Sequence, residues 1–159
     1  MIKILMSLVV VVGAVLLTPA NAQEVAARVL GEIVYVPAYS RIFSHPDRSD
    51  LLAATLAVHN IDPDTPITLQ SVEYHGEDGT LLRELLDNPL DLGPLQSGTV
   101  LVPINDTTGG VGANFLLEWT SATPALSPIA EAIMTSGSGG PGPSFTSRGR
   151  VIEQRIPAD

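Results

Sequence analysis

The sequence has no cysteine, and its one lysine, Lys3, lies at the extreme N-terminus. The first absence removes disulfides, thiol nucleophiles, thiolate metal sites and thiol redox chemistry. Stability must then come from packing and strand pairing. The second absence removes the lysine that a Walker-type phosphate loop requires. No internal repeat shows at a period of about 20–50 residues. Beyond the first 22 residues no segment is long and apolar enough to cross a bilayer, which takes about 20 apolar residues.

The first 22 residues read as a secretory leader. Lys3 supplies a positive n-region, Ile4 to Leu17 is an almost unbroken apolar run, and Pro19 precedes the small residues Ala20 and Ala22. That order predicts cleavage after Ala22, with an uncleaved anchor as the alternative. No cysteine sits near the cleavage point, so a lipoprotein anchor is excluded. An exported chain without disulfides fits a bacterial periplasm or secretion from a bacterium. Asn105–Thr107 matches a glycosylation acceptor, but that pattern has no meaning in a bacterial host.

Removing 22 of the 159 residues leaves 137, enough for one domain with its own core. Seven arginines then face 17 carboxylates, a formal charge of −10. Such a surface repels phosphate backbones and anionic headgroups, so neither nucleic acid nor a membrane surface is an expected partner. Acidity is also an ordinary route to solubility.

The mature chain is built of short apolar stretches with period-2 alternation, separated by Gly, Pro, Asn and Asp. That pattern predicts an all-β domain. The expected fold is an immunoglobulin-like antiparallel β-sandwich of about seven to eight strands, with a small barrel as runner-up. The expected division is leader 1–22, linker 23–32, sandwich 33–153 and tail 154–159. Val34 and Val36 alternate with Ile33, Tyr35 and Tyr39, and Pro37 points to an edge or a bulge. Residues 41–50 read as loop. Leu52, Leu56 and Val58 mark a central strand that the prolines of 62–66 stop. Residues 66–85 read as a hairpin turning at Asp78–Gly79. Its parity slips between Leu69 and Val72, which predicts a bulge near Gln70–Ser71. Leu81–Leu86 returns as a strand or as one helical turn. Leu90, Leu92 and Leu95 are expected on the core, and Val100, Val102 and Ile104 on one strand face. Ala113, Phe115, Leu117 and Trp119 give the clearest inward set. Residues 127–136 read as a strand or short helix, 137–143 as flexible loop, and 144–156 as one final strand.

Several constellations carry possible chemistry. Gly109, Gly110 and Gly112 resemble a phosphate cradle, but the following segment alternates as a strand and supplies no helix dipole. The expected role is a wide turn with glycines at positive φ; a calcium loop from Asn105, Asp106 and Asn114 is the alternative. His59 and His75, with Glu73, contain metal-ligand types on neighbouring predicted strands, although scattered surface histidines are the plainer reading. Ser44–Asp47 holds hydrolase residue types, but a triad needs elements from distant parts of a chain. Arg148 and Arg150, two apart, should share one strand face and could clamp an anion. The plainer alternative pairs the C-terminal arginines Arg148, Arg150 and Arg155 with acids such as Glu118 or Glu131. Tyr35 and Tyr39 are candidates for a binding groove or for core. No catalytic constellation emerges, and no cofactor is expected. The expected partner is an envelope protein or a small ligand.

Five stretches together carry a resemblance. "VYVPAYS" (34–40), "NIDPDTPITLQSVEYHGEDGTLL" (60–82), "PLDLGPLQSG" (89–98), "GGVGANFLLEW" (109–119) and "SFTSRGRVI" (144–152) resemble, in this order, small exported bacterial proteins grouped as domain of unknown function 3124. The resemblance implies a β-type bacterial envelope protein. It implies no activity and carries over no catalytic residue.

Overall fold

The computed structural model describes residues 27–137 and 142–158. The expected leader, residues 23–26 of the expected linker and part of the 137–143 loop lie outside these.

The described residues form no helix. In chain order the strands are β1 (Arg28–Pro37), β2 (Arg41–His45), β3 (Arg48–Leu51), β4 (Ala53–His59), β5 (Ile67–His75), β6 (Leu81–Glu84), β7 (Leu90–Leu92), β8 (Ser97–Val102), β9 (Asn114–Leu126), β10 (Ile129–Thr135), β11 (Ser144–Arg148) and β12 (Arg150–Arg155). Every pairing is antiparallel. One sheet runs β12-β1-β9-β5-β6, with β7 also on β5; the facing sheet runs β11-β10-β4-β8. Each strand has one apolar face to bury, and the two sheets bury each other's. The expected antiparallel sandwich is what the chain forms.

The core follows the period-2 reading closely. Ala113, Phe115, Leu117 and Trp119 are all buried, as are Val34 and Val36 of β1 and Leu56 and Val58 of β4. Tyr74 and Phe115 pack at 5.6 Å between ring centroids. Burying each such large apolar side chain stabilises the fold by about 1.5–3 kcal/mol. β4 is central, between β10 and β8. The β5–β9 register shifts between Leu69 and Ser71, where the parity slip predicts a bulge.

Other expectations are corrected. β1 is not an edge strand: it lies between β12 and β9, and Pro37 is tolerated because it ends the strand. β1 also begins inside the expected linker, with Val29 buried, and β12 runs to Arg155. Residues 41–51 are a hairpin, not a loop; Pro46–Asp47 turn between His45 and Arg48. Its charged residues hide the alternation. Residues 81–84 and 129–135, by contrast, are strands as the first of the two readings given for each expects. Of the three leucines expected on the core at 90–95, only Leu92 is buried; Leu90 and Leu95 are exposed. Ile104 lies beyond the end of β8.

The largest correction concerns residues 144–156. They form two strands in different sheets, broken at Gly149. The Gly149 N–H bonds Ala130 O at 2.8 Å. A Cβ there would lie 2.7 Å from Val34 Cγ1. The crossing chain therefore presses against the core, and only glycine fits.

Candidate functional site

The glycine loop between β8 and β9 is filled from within. The carboxylate of Glu77 lies in it and accepts the Val111 N–H at 2.9 Å. Gly110 alone of the three takes positive φ, 73°, and a Cβ there would approach Glu77 Oε2 to 2.3 Å. Gly109 is needed for a different reason, since its Cβ would lie 2.0 Å from the Tyr74 hydroxyl. The loop's carbonyls are engaged as well. Glu77 N–H donates to Gly109 O at 3.0 Å, and Ser40 donates its N–H and hydroxyl to Gly110 O at 3.1 and 2.9 Å. The chain's own anion thus occupies the cradle.

Of the residues weighed for calcium, Asp106 is already engaged within the chain. Asp106 pairs with Arg83 at 2.8 Å and accepts the Thr108 N–H at 3.1 Å. Partial burial works to raise its carboxyl pKa, but the Thr108 hydrogen bonds and Arg83 outweigh that and hold it below its ordinary value. Burial pushes the Tyr74 hydroxyl up, and the negative charge of Asp106 adds to the rise. That hydroxyl has no hydrogen-bond partner.

The two arginines expected on one face are on opposite faces. Arg148 lies directly across from Glu131 on the outer side of the four-stranded sheet. Arg150 lies across from Tyr35 on the outer side of the other sheet. The period-2 argument fails because the sheet switch at Gly149 falls between them. Arg155 pairs with Glu118 at 2.5 Å, as the plainer reading expects. Tyr35 and Tyr39 also part: Tyr35 faces outward, while Tyr39 packs edge-on against Phe145 at 5.7 Å, partly buried.

His59 and His75 separate in the same way. His59 sits on β4 and meets Ser97 Oγ at 2.7 Å. His75 sits on β5 in the other sheet, 2.7 Å from Glu73 Oε2. The fold joins no neighbouring strands there. Ser44–Asp47 forms the end of the β2–β3 hairpin.

Two buried polar networks escaped the sequence reading. Glu32 points between the sheets. Its Oε2 accepts the Trp119 indole N–H at 3.1 Å, and its Oε1 accepts Ser127 Oγ–H and Gln154 Nε2–H at 2.7 Å each. The inward parity of Val34 and Val36 already assigns position 32 to that face. The second network knots one end of the sandwich. Asn60 Nδ2 donates to Thr65 O, Leu92 O and Gly93 O, and Asn60 Oδ1 accepts Asp62 N–H. Buried Asp62 accepts the N–H groups of Asp64, Thr65 and Leu126 and pairs with Arg28. Burial alone would raise its pKa, but the three backbone donors and Arg28 bring it down from 3.8 to about 2. Polar residues just ahead of a proline look like plain turn formers in sequence, so nothing there signals the knot.

A small apolar cleft lies between Leu56, Val58, Leu69, Leu86, Leu90 and Val100, with a volume of about 10 Å³. That is room for about one water, far below the roughly 300–1,000 Å³ of a small-molecule site.

These features define an antiparallel β-sandwich whose polar interior groups hold the fold. The chain belongs to the family described as "Protein of unknown function (DUF3124)", whose model matches residues 31–152. No curated protein and no solved structure matches it.

Proposed function

We propose that the chain is an exported, non-enzymatic interaction module of the bacterial envelope. The observation that carries this is the use of its buried polar side chains. Glu32, Ser40, Asn60 and Asp62 are each bound to other parts of the same chain. A partner therefore meets the outer surface, where Phe43, Leu95, Leu101, Ile152 and Ile156 are exposed. The apolar leader with small residues at 20 and 22 supports export.

The test is crosslinking and capture of the tagged protein from intact cells, followed by fractionation. Recovery in the periplasm or medium with a reproducible partner supports the reading. Cytoplasmic location, or turnover of a substrate by the purified protein, overturns it.

A second reading is a small-anion site at Arg150. Its directly opposed, outward-facing Tyr35 favours it, because guanidinium and phenol can both donate to a carboxylate.

A further inference from the structure

The six-stranded sheet ends on β12, which has β1 on one side and, among the described residues, no strand on the other. An edge strand offers a row of unpaired N–H and C=O groups, and charged side chains are the usual guard against a second strand adding there. β12 carries Arg150, Glu153 and Arg155. Whether such charges repel or admit a second strand depends on their order.

The fold fixes that order in space. Gln154 lies across from Glu32 and donates its Nε2–H to that buried carboxylate at 2.7 Å. Gln154 therefore turns inward, and Glu153 and Arg155, across from Ile33 and Gly31, face outward. Glu153 forms no ion pair among the described residues. Arg155 gives one guanidinium nitrogen to Glu118 and keeps donors for a second carboxylate. Ile152, left without a partner on β1 by a bulge, and Ile156 are 60% and 70% exposed.

Residues 152–156 read Ile-Glu-Gln-Arg-Ile. About Gln154 this stretch is its own complement. Set antiparallel to a second copy of itself with Gln154 facing Gln154, Glu153 of each strand lies across from Arg155 of the other, and Ile152 across from Ile156. Directly opposed residues of antiparallel strands are about 4.5–5.5 Å apart at Cβ and share a face, so both charge pairs form on the outer side. Among the described residues no other edge has this pattern. β8 carries no charge, β7 and β11 carry one each, and in β6 Arg83 and Glu84 are adjacent and so point to opposite faces.

We propose that the partner is a second copy of this chain, joined β12 to β12 about a two-fold axis. The six-stranded sheets of the two copies then run on as one. A bare edge accepts any strand; the charge order selects this one. Copies with a net charge of −10 repel at long range, but β12, with two arginines and one glutamate, adds nothing to that repulsion. The interface is isologous, so association closes at a dimer. The proposal rests on the interaction-module reading and narrows it to one partner.

Sedimentation equilibrium of the mature protein, up to about 1 mM, tests it. The wild type should gain mass with concentration and level off at the dimer. Glu153→Arg and Arg155→Glu each set like charges across the axis, and each should be monomeric. Mixed one to one, they should form a mixed dimer, because each then meets the opposite charges. The double variant Glu153→Arg/Arg155→Glu restores the complement and should dimerise again. Both positions are exposed, so the variants should fold. Hydrogen exchange gives a readout on the wild type alone: the β12 amides turned away from β1 should gain protection as concentration rises. A monomeric wild type overturns the proposal, as does a mass that climbs past the dimer or a dimer with no added protection in β12. Folded single variants that still dimerise, or a mixture or double variant that stays monomeric, overturn it as well. A monomeric wild type leaves the interaction-module reading standing, because capture of other proteins tests that separately.

Discussion

Trp119 and Glu32 lie directly opposite each other on β9 and β1, 87 positions apart in sequence, and the indole N–H donates to the carboxylate at 3.1 Å inside the sandwich. Two more neutral donors, Ser127 and Gln154, complete the shell of Glu32. Glu32→Ala leaves all three donors without their acceptor. It should destabilise the fold by about 2–4 kcal/mol in urea unfolding, with Glu32→Gln milder because it keeps one acceptor oxygen. A loss under about 0.5 kcal/mol for Glu32→Ala would show that the network contributes nothing net.

Asp62 sets an acid limb of stability. Its carboxyl is held at about 2 in the fold against an ordinary 3.8, so the folded state binds fewer protons between those values. Its contribution is whole above about pH 4 and is lost as pH falls toward 2. The urea midpoint of the wild type should therefore drop across this interval more than that of Asp62→Asn. Parallel pH profiles would contradict the assignment.

Gly109 and Tyr74 should be coupled. Gly109→Ala drives a methyl into the phenol and should cost about 1–3 kcal/mol. Tyr74→Phe removes a hydroxyl that has no partner and should change stability by less than about 1 kcal/mol. The double variant should regain part of the Gly109→Ala loss, because the ring carbon behind the hydroxyl would still be only 2.7 Å from the new Cβ. Strict additivity in a double-mutant cycle would refute the contact.

Arg148 and Arg150 should act independently. If succinate raises the melting temperature, Arg150→Ala should abolish the shift and Arg148→Ala should leave it unchanged. Equal loss in both variants would revive a shared clamp and contradict the opposed faces.

Mature protein recovered from the host should begin at Gln23. Edman sequencing or intact mass reads this directly, and a retained Met1 would exclude the expected cleavage.

The sequence was most legible where burial is one-sided. Phe115, Leu117 and Trp119 had to face one way, and the Leu69–Val72 parity slip had to be absorbed by a bulge. It was least legible where alternation continues across a break. Val151 follows Ser147 and Gly149 in what looks like a single strand, and nothing in that pattern marks Gly149 as the crossing point. That one residue accounts for the failed Arg148–Arg150 pairing. One exposed leucine was hidden for another reason. Leu95 fits an inward pattern, and only its backbone conformation turns it out to solvent. Asp62 was hidden because it works through backbone amides that side-chain spacing cannot reveal.

The crossing at Gly149 binds the two layers like the spine of a book. The opposite margin is continuous chain as well, since the Gly93–Gln96 turn carries β7 of one layer into β8 of the other, but it crosses over four residues where Gly149 crosses in one. Both margins are therefore closed by chain, and the two layers should come apart together rather than from one side.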